Sequence, residues 1–180
     1  AVGELAKKYG KAFLVDCISS LAGDKMNFSS IDIAVGTANK CLQGVPGVSF
    51  VLFRKKELAR LIKIPARTLY FNLTGYHKAQ ETGGLLFTPA IPAHYALDVA
   101  LDELIEETVA GRIKRYGDAA NFLRDGFKNL GFEFLIPQGW RSNCLTGIKL
   151  PKKISYEKLH AELKSNGFVI YAGQGKLSES

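Results

Sequence analysis

The sequence contains few of the features that mark extracellular, membrane-spanning or zinc-binding proteins. It has three cysteines in 180 residues, Cys17, Cys41 and Cys144, and none of them forms a CxxC pair. An odd number of cysteines without such pairs argues against a disulfide framework and against a structural zinc site. The first twenty residues interrupt their apolar positions with lysines and glycines, unlike a secretory signal. We therefore expect a reducing, cytoplasmic setting.

Long apolar runs are also absent. No stretch of about 18 consecutive apolar residues occurs, which argues against a membrane-spanning helix. Hydrophobic residues make up 47% of the chain and charged residues 23%, a balance typical of globular proteins rather than disordered ones. A chain of 180 residues has room for one ordinary domain or for two small ones.

The charge is positive but not concentrated in one place. Lys and Arg number 24 against 17 Asp and Glu, which leaves a formal charge of +7. Such a charge suits nucleic acid or a small anionic ligand such as a phosphate or phosphonate. The basic residues lie apart, mainly at Lys7–Lys11, Arg54–Lys56, Arg112–Arg115 and Lys152–Lys153, and we interpret them as solvated surface groups. Without a basic stripe or a stacking platform, we expect no nucleic-acid partner.

Several familiar site signatures are missing. The sequence has no P-loop, no G-x-G-x-x-G and no G-x-S-x-G motif, which are the usual signatures of nucleotide binding and of a serine nucleophile. Its three histidines, His77, His94 and His160, lack the spacing of metal ligands, so we expect no metal site. Any chemistry must therefore come from other residues.

Apolar runs in the first half of the chain predict an α/β sheet. Residues 12–15, 31–35 and 48–53 are typical of short buried strands, and residues 55–62 favour a surface helix. Residues 64–92 contain three prolines and three glycines. We predict that this segment is irregular and that it serves a function or an interface, because long loops inside compact domains seldom lack a role.

The second half predicts helices packed on a small sheet, an α+β pattern. Apolar residues spaced by three and four predict helices around residues 97–105 and 113–130, the second ending at Gly131. A further helix and three strands follow, the helix at 155–166 with Ser155 as its cap and the strands at 132–136, 144–150 and 168–171. We place a domain boundary near residue 110, which divides the chain into residues 1–110 and 111–180.

Two residues follow predicted strands at positions where α/β proteins bind ligands. Asp16 ends the first strand, and Lys40 lies in the polar loop between the second and third strands. Burial between strands would lower the pKa of the Lys40 amine and favour Schiff-base chemistry. Taken alone, however, each position favours an ordinary role, a solvated lysine and a turn or cap aspartate.

One ligand needs both of these residues. Pyridoxal phosphate requires a lysine for its imine and a carboxylate that keeps its ring nitrogen protonated. Thr37 and Thr88 offer hydroxyls for the phosphate, although each is a weak signal by itself. Cys41 follows Lys40 without a histidine nearby in the sequence, and we interpret it as a small buried thiol.

The residues around Lys40 match a known sequence pattern. Residues 31–40 read IDIAVGTANK, and Gly47 and Ser49 follow after a short gap. This segment resembles the lysine signature of the class V pyridoxal-phosphate-dependent aminotransferases. One position departs from the general pattern, which has His, Gln or Arg directly before the lysine, where this chain has Asn39.

Within that family, the string ANKCLQGVPG resembles the members that move an amino group from 2-aminoethylphosphonate to pyruvate. Residues 15–23, VDCISSLAG, and residues 87–94, FTPAIPAH, are similar to two further blocks of the same members. The likeness extends loosely over the whole chain and is most specific in these three blocks. It implies an enzyme that forms phosphonoacetaldehyde and alanine.

The resemblance implies an architecture. The fold would be that of fold type I pyridoxal-phosphate-dependent transferases, which is aspartate aminotransferase-like. Residues 1–110 would be the C-terminal part of the large cofactor-binding domain, and residues 111–180 would be an incomplete small α+β domain. Family members are longer, so we expect the phosphate loop and the ring-stacking aromatic residue upstream. The arginine that binds the substrate carboxylate is expected downstream.

The resemblance also implies a role for each candidate residue. Lys40 would hold pyridoxal 5'-phosphate as a Schiff base and then move a proton between the substrate and the cofactor. Asp16 would pair with the pyridine nitrogen. Thr88 would reach the cofactor phosphate of the neighbouring subunit, because the family builds its site across a homodimer interface, and Thr37 is a weaker phosphate candidate.

Two alternatives remain open at this point. Another class V aminotransferase, of the alanine–glyoxylate or serine–pyruvate type, would share the lysine signature. Asn39 is a weak argument against this alternative. The chain could also be a truncated, inactive dimerisation module that keeps the fold without the chemistry. Retention of both Lys40 and Asp16 weighs against that reading.

Overall fold

A computed structural model describes residues 2–175 and 177. The chain forms two compact units, Ala1–Arg115 and Tyr116–Ser180. The first contains helices and strands in the order α1 (Val2–Lys8), β1 (Leu14–Asp16), β2 (Ile33–Thr37), β3 (Ser49–Phe53), α2 (Lys55–Leu61), α3 (Leu73–Glu81) and α4 (Ile91–Glu107). Helix α5 (Val109–Asn129) crosses the division, and the second unit continues with β4 (Glu133–Phe134), β5 (Ile148–Lys149) and α6 (Tyr156–Ser165).

The first unit is built on a three-stranded sheet in the order β1, β2, β3. Strands β1 and β2 are parallel, with Asp16 opposite Val35. Strands β2 and β3 are antiparallel, with Thr37 opposite Ser49. All three strands lie within two residues of the predicted apolar runs, so the prediction of an α/β sheet is confirmed.

Strand β1 is less buried than its apolar sequence predicts. Leu14 is 62% exposed, whereas Ile33 and Ala34 of β2 are 8% and 2% exposed. Among the described residues, β1 pairs with β2 alone, whereas β2 pairs on both sides. The prediction of a buried strand is therefore wrong for β1.

Helix α4 covers the loop that follows β2. Leu104 of this helix packs in an apolar cluster with Leu42, which lies in that loop, and with Ala22. At the other end of the helix, a Cβ built on Gly47 would lie 3.0 Å from the Cβ of Ala93. The start of α4 and the end of the loop are therefore in close contact.

A cluster of charges joins the end of α4 to the same loop. The Nε of Arg112 donates to Oε2 of Glu107 at 2.7 Å, and the Nε of Arg115 donates to Oε1 at 2.6 Å. Arg112 is 1% exposed, so the interpretation of residues 112–115 as solvated surface groups is wrong for this arginine. Hydrogen bonds from Arg115 and then Arg112 lower the pKa of the Glu107 carboxyl to about 2.

Residues 64–92 are not irregular throughout, because they contain helix α3 (Leu73–Glu81). The Asn72 side chain caps this helix by accepting a hydrogen bond from the Gly75 N–H at 3.1 Å. The helix buries no residue, so its sequence has no apolar periodicity that would predict a helix. The prediction of an irregular segment is therefore wrong for these nine residues.

The second unit contains a small antiparallel sheet and helix α6. Strands β4 and β5 pair over two residues each, shorter than the predicted strands at 132–136 and 144–150. Helix α6 begins after Ser155, as its sequence predicts. Residues 168–171 form no strand, which contradicts the prediction, because the only ladder among the described residues of this unit joins β4 to β5.

A second buried arginine stabilises this unit. Arg124 is 8% exposed and donates to the carbonyls of Ser142 and Leu145 and to the hydroxyl of Thr146. It therefore holds the backbone that leads into β5. Like Arg112 in the first unit, it is a buried arginine whose donors are satisfied. Across residues 2–175 and 177, no helix has the length and apolar content that a bilayer crossing requires.

Gly36 in β2 lies beneath the ring of Phe50, its cross-strand partner, and a Cβ there would lie 2.5 Å from Cε2 of that ring. We predict that Gly36→Ala destabilises the protein by about 1–3 kcal/mol, because the ring must move out of a packed position. The matched control is Gly126→Ala in α5, where an added Cβ meets no atom of the described residues within 4 Å apart from its chain neighbours and the backbone of its own helix. Urea denaturation measures both, and equal midpoints for the two variants would contradict the packing argument.

The Glu107 cluster predicts a specific response to acid. A carboxylate with a lowered pKa stabilises the folded state above its unfolded pKa, and that contribution is lost as the pH falls through the folded pKa. For Glu107 the loss runs from its ordinary value of 4.5 down to about 2. We expect Glu107→Gln to be less stable than wild type at pH 7 and to lose less stability across this range. Glu106→Gln, an exposed neighbour, serves as the control in thermal unfolding, and parallel pH curves for wild type and Glu107→Gln would refute the prediction.

Candidate active site

Asp16 and Lys40 lie at the same edge of the sheet. Asp16 is the last residue of β1, and Lys40 follows the last residue of β2, Thr37, in the next loop. Because β1 and β2 are parallel, both residues lie at the carboxyl edge of the strands. This edge is where open α/β sheets bind their ligands.

The loops that follow β1 and β2 are joined by hydrogen bonds. The Cys17 N–H donates to the Val35 carbonyl at 3.0 Å. The Cys41 thiol donates to the Ser19 carbonyl at 3.1 Å. The residues directly after Asp16 and Lys40 are therefore both held in a single framework. Cys41 is 4% exposed, which confirms its interpretation as a small buried thiol.

Lys40 lies in a tight turn. The Gln43 N–H donates to the Lys40 carbonyl and the Gly44 N–H donates to the Ala38 carbonyl, both at 2.8 Å. Gln43 has a φ of +66°, in the left-handed region that non-glycine residues rarely adopt. The turn fixes the backbone of Lys40 while its side chain remains exposed.

The exposure of Lys40 differs from one sequence expectation. Burial between strands does not occur, and the solvated state that its loop position favours is the one observed. Among residues 2–175 and 177, no hydrogen bond or ion pair engages the Lys40 ammonium. The group is therefore accessible to a ligand from solvent.

The Asp16 carboxylate is exposed and held by one hydrogen bond. Its Oδ1 accepts from the Ile18 N–H at 3.0 Å, which matches the turn role that an isolated aspartate favours. Oδ2 accepts no hydrogen bond from the part of the chain that the structure describes. Burial raises the pKa of the adjacent Cys17 thiol, and the charge of Asp16 adds to the rise. The carboxylate thus has one oriented oxygen and one free to accept.

Thr37 and Thr88 occupy different surroundings. The Thr37 hydroxyl lies 2.9 Å from Oδ1 of Asn39 and 3.0 Å from the Val48 carbonyl, so its one hydrogen is directed at an acceptor inside the turn. Thr88 is exposed in the segment that leads into α4. Among the described residues, no hydrogen bond links it to Asp16, Thr37 or Lys40.

Sequence reasoning missed two residues at this edge. Asn39, treated only as a departure from a motif, accepts the Thr37 hydrogen bond that braces the turn. Arg112 donates from Nη1 to the carbonyls of Cys41 and Leu42, both at 3.2 Å. Its only sequence signal is its place on α5, four residues before Tyr116 of the predicted apolar face.

The chain is similar to curated aminotransferases over almost all of its length. It is 38% identical over 186 aligned positions to the 2-aminoethylphosphonate–pyruvate transaminase of Syntrophobacter fumaroxidans, covering 99% of this chain and 49% of that protein. It is 36% identical to the enzyme of the same name from Bacteroides fragilis strain YCH46, covering 96% of this chain and 49% of that protein. The chain therefore spans about half the length of the curated relatives it matches.

Solved structures share the fold. Pyridoxamine–pyruvate aminotransferase from Mesorhizobium loti superposes with a TM-score of 0.91 at 24% identity, covering 98% of this chain and 47% of that one. Alanine–glyoxylate aminotransferase from Nostoc superposes with a TM-score of 0.88 at 23% identity, covering 99% and 49%. These similarities confirm the predicted fold type I architecture.

The family profile covers nearly the whole sequence. The profile described as aminotransferase class V matches residues 1–176. The match includes the turn around Lys40 and the lysine motif at residues 31–40. This chain belongs to the class V aminotransferase family.

Proposed function

We propose that the protein containing this chain is a pyridoxal-phosphate-dependent aminotransferase that carries its cofactor on Lys40. Its amino donor would be 2-aminoethylphosphonate and its acceptor pyruvate, with phosphonoacetaldehyde and alanine as products. The observation that carries the proposal is the position of Asp16 and Lys40 at the carboxyl edge of two parallel strands. The family membership of the chain makes this pair the natural candidate for the cofactor.

The donor set at this edge fits pyridoxal 5'-phosphate. The cofactor carries an aldehyde, which a primary amine can attack, and a ring nitrogen, which a carboxylate can keep protonated. When bound, it supplies an electron sink that stabilises negative charge on the reacting carbon of the amino donor. Lys40 and Asp16 offer an exposed amine and an oxygen free to accept, so the chemistry of the residues matches the group.

Lys40 has two tasks in the proposed reaction. Its amine must first lose a proton, because only the neutral form is a nucleophile. The Lys40 amine would also act as the base that moves a proton at the reacting carbon of the amino donor. The tight turn under Lys40 limits the positions from which the amine can do so.

Asp16 has an electrostatic task. A carboxylate close to a ring nitrogen raises the pKa of that nitrogen and so keeps its proton in place. The hydrogen bond from the Ile18 N–H to Oδ1 fixes the orientation of the carboxylate, which leaves Oδ2 to accept from a ligand. Thr88, and more weakly Thr37, are proposed phosphate ligands, Thr88 toward the cofactor of a neighbouring subunit.

Exposed apolar side chains in the segment before α4 support a homodimer with a shared site. Large apolar side chains are exposed there, including Leu69 at 74%, Phe71 at 80% and Leu85 at 72%. A second subunit would cover this surface, because exposed apolar patches of this kind mark interaction sites. We also propose a cytoplasmic location, since none of the cysteines in the described part of the chain forms a disulfide.

The choice of substrate follows from the curated relatives. The enzymes at 36–38% identity carry the name of one activity, the transfer from 2-aminoethylphosphonate to pyruvate. Asn39, the departure from the general lysine motif, lies in the string ANKCLQGVPG, on which the resemblance to such enzymes is based. The alternative is another class V activity, which the structural similarity to an alanine–glyoxylate aminotransferase would equally allow.

Labelling of Lys40 tests the cofactor site. We expect borohydride reduction of the full-length protein with pyridoxal phosphate to give one major adduct, located by peptide mass spectrometry at Lys40. Lys40→Arg should abolish that adduct because an arginine forms no Schiff base, whereas Lys55→Arg on α2 should leave it unchanged. Adducts spread over surface lysines, with none at Lys40, would exclude the proposed site.

An alanine-forming assay tests the reaction. We expect the full-length protein to convert pyruvate to alanine faster with 2-aminoethylphosphonate as donor than with serine. Transfer from alanine to glyoxylate, followed as glycine formation, should also be slower. Asp16→Asn should slow the reaction by about 100-fold or more, because the ring nitrogen loses the carboxylate that keeps it protonated. The borohydride-trapped adduct at Lys40 should still form. Asp98→Asn, an exposed change on α4, is the control. Wild-type rates in Asp16→Asn would remove Asp16 from the mechanism.

A further inference from the structure

Arg112 is a buried charge that the proposed reaction does not use. Its side chain is among the largest that are fully buried in the described part of the chain, with 1% exposed. Arginine is rarely buried to this degree, because its charge must be compensated by partners with good geometry. Here those partners are Glu107 and the carbonyls of Cys41 and Leu42.

The two carbonyls belong to the residues that come directly after Lys40. A single nitrogen of Arg112, Nη1, lies 3.2 Å from each of them. It therefore fixes the orientation of two successive peptide groups. Because the Gln43 N–H also holds the Lys40 carbonyl, the backbone from Lys40 to Gln43 has little freedom.

Glu107 holds the guanidinium from the other side. Its Oε2 accepts from Nε of Arg112 at 2.7 Å. The same carboxylate accepts two hydrogen bonds from Arg115, whose Nη2 reaches Oε1 of Gln43 at 3.4 Å. The carboxylate thus orients two arginines toward one turn. Leu42 is packed at the same place against Leu104.

We propose that Arg112 is a positioning residue for Lys40. Through the Cys41 and Leu42 carbonyls it holds the turn, so that the exposed amine of Lys40 reaches the cofactor aldehyde from one direction. The proposal rests on the proposed function. It assigns the buried arginine to the speed and orientation of Schiff-base formation, in addition to its contribution to folding. A lysine at position 112 cannot replace it, because one ammonium lacks the planar fork that spans a carboxylate and two carbonyls.

The test compares Arg112→Lys with Arg124→Lys in the full-length protein. Both substitutions keep the charge and remove a buried guanidinium that holds two backbone carbonyls, but Arg124 lies in the second unit. We expect Arg112→Lys to slow the appearance of the borohydride-trapped Lys40 adduct at least tenfold. Arg124→Lys should stay within twofold of wild type at the same fraction of folded protein.

A measurement without cofactor separates positioning from catalysis. Hydrogen exchange at the Gln43 and Gly44 amides reports the turn directly, since these groups donate to the Lys40 and Ala38 carbonyls. We expect exchange there to be at least tenfold faster in Arg112→Lys and unchanged in Arg124→Lys. Equal exchange and equal trapping in the two variants would overturn the positioning role.

A milder variant covers the case in which Arg112→Lys does not fold. Glu107→Gln keeps Arg112 but weakens its tether, so we expect the same two changes at smaller size. No change in either measurement would contradict the proposal. If wild-type protein gives no adduct at Lys40, the proposed function fails, whereas normal wild-type labelling with no effect of the variants defeats only the positioning role.

Discussion

The parallel pairing of β1 with β2 is the constraint on which the candidate site depends. Asp16 and Lys40 are far apart in the sequence. They come to one edge only because β1 and β2 run in the same direction and end within two residues of each other in the ladder. A register shift of one residue would turn Asp16 to the other face of the sheet and remove it from Lys40. The Cys17 and Cys41 hydrogen bonds extend this pairing into the two following loops.

The site combines a rigid backbone with an accessible side chain. The turn at Lys40 is held by its own backbone hydrogen bonds, by the Thr37–Asn39 contact and by Arg112 from beneath. Burying the Arg112 guanidinium is tolerable because Glu107 and two carbonyls compensate its charge and its donors. The ammonium of Lys40 pays no such desolvation cost, which leaves it available for a ligand.

Local sequence patterns were enough to predict the sheet, the long helices and the edge that carries Asp16 and Lys40. Apolar runs and strand ends are local features of the sequence. Once two such strands pair in parallel, their carboxyl ends lie at the same edge of the sheet. Helix α3 was missed because it buries no residue and is announced only by the Asn72 cap. The exposure of Leu14 was missed because edge position depends on which strands pair, not on the run itself.

Arg112 was the main failure of sequence reasoning at the site. Its contacts with Cys41 and Leu42 join residues about seventy positions apart, which no short-range pattern reports. Its place among basic residues in the sequence predicted a solvated side chain, whereas the side chain is buried. The prediction of a strand at 168–171 was wrong for a related reason. A strand forms only when another strand pairs with it, and an apolar run does not show which segment that is.

A crystal structure of the full-length protein with pyridoxal phosphate tests the central claim most directly. The account predicts continuous electron density from Nζ of Lys40 to the cofactor, with a carboxylate oxygen of Asp16 within hydrogen-bond distance of the ring nitrogen. A cofactor bound through a different lysine, or an Asp16 carboxylate directed away from the ring, would contradict it.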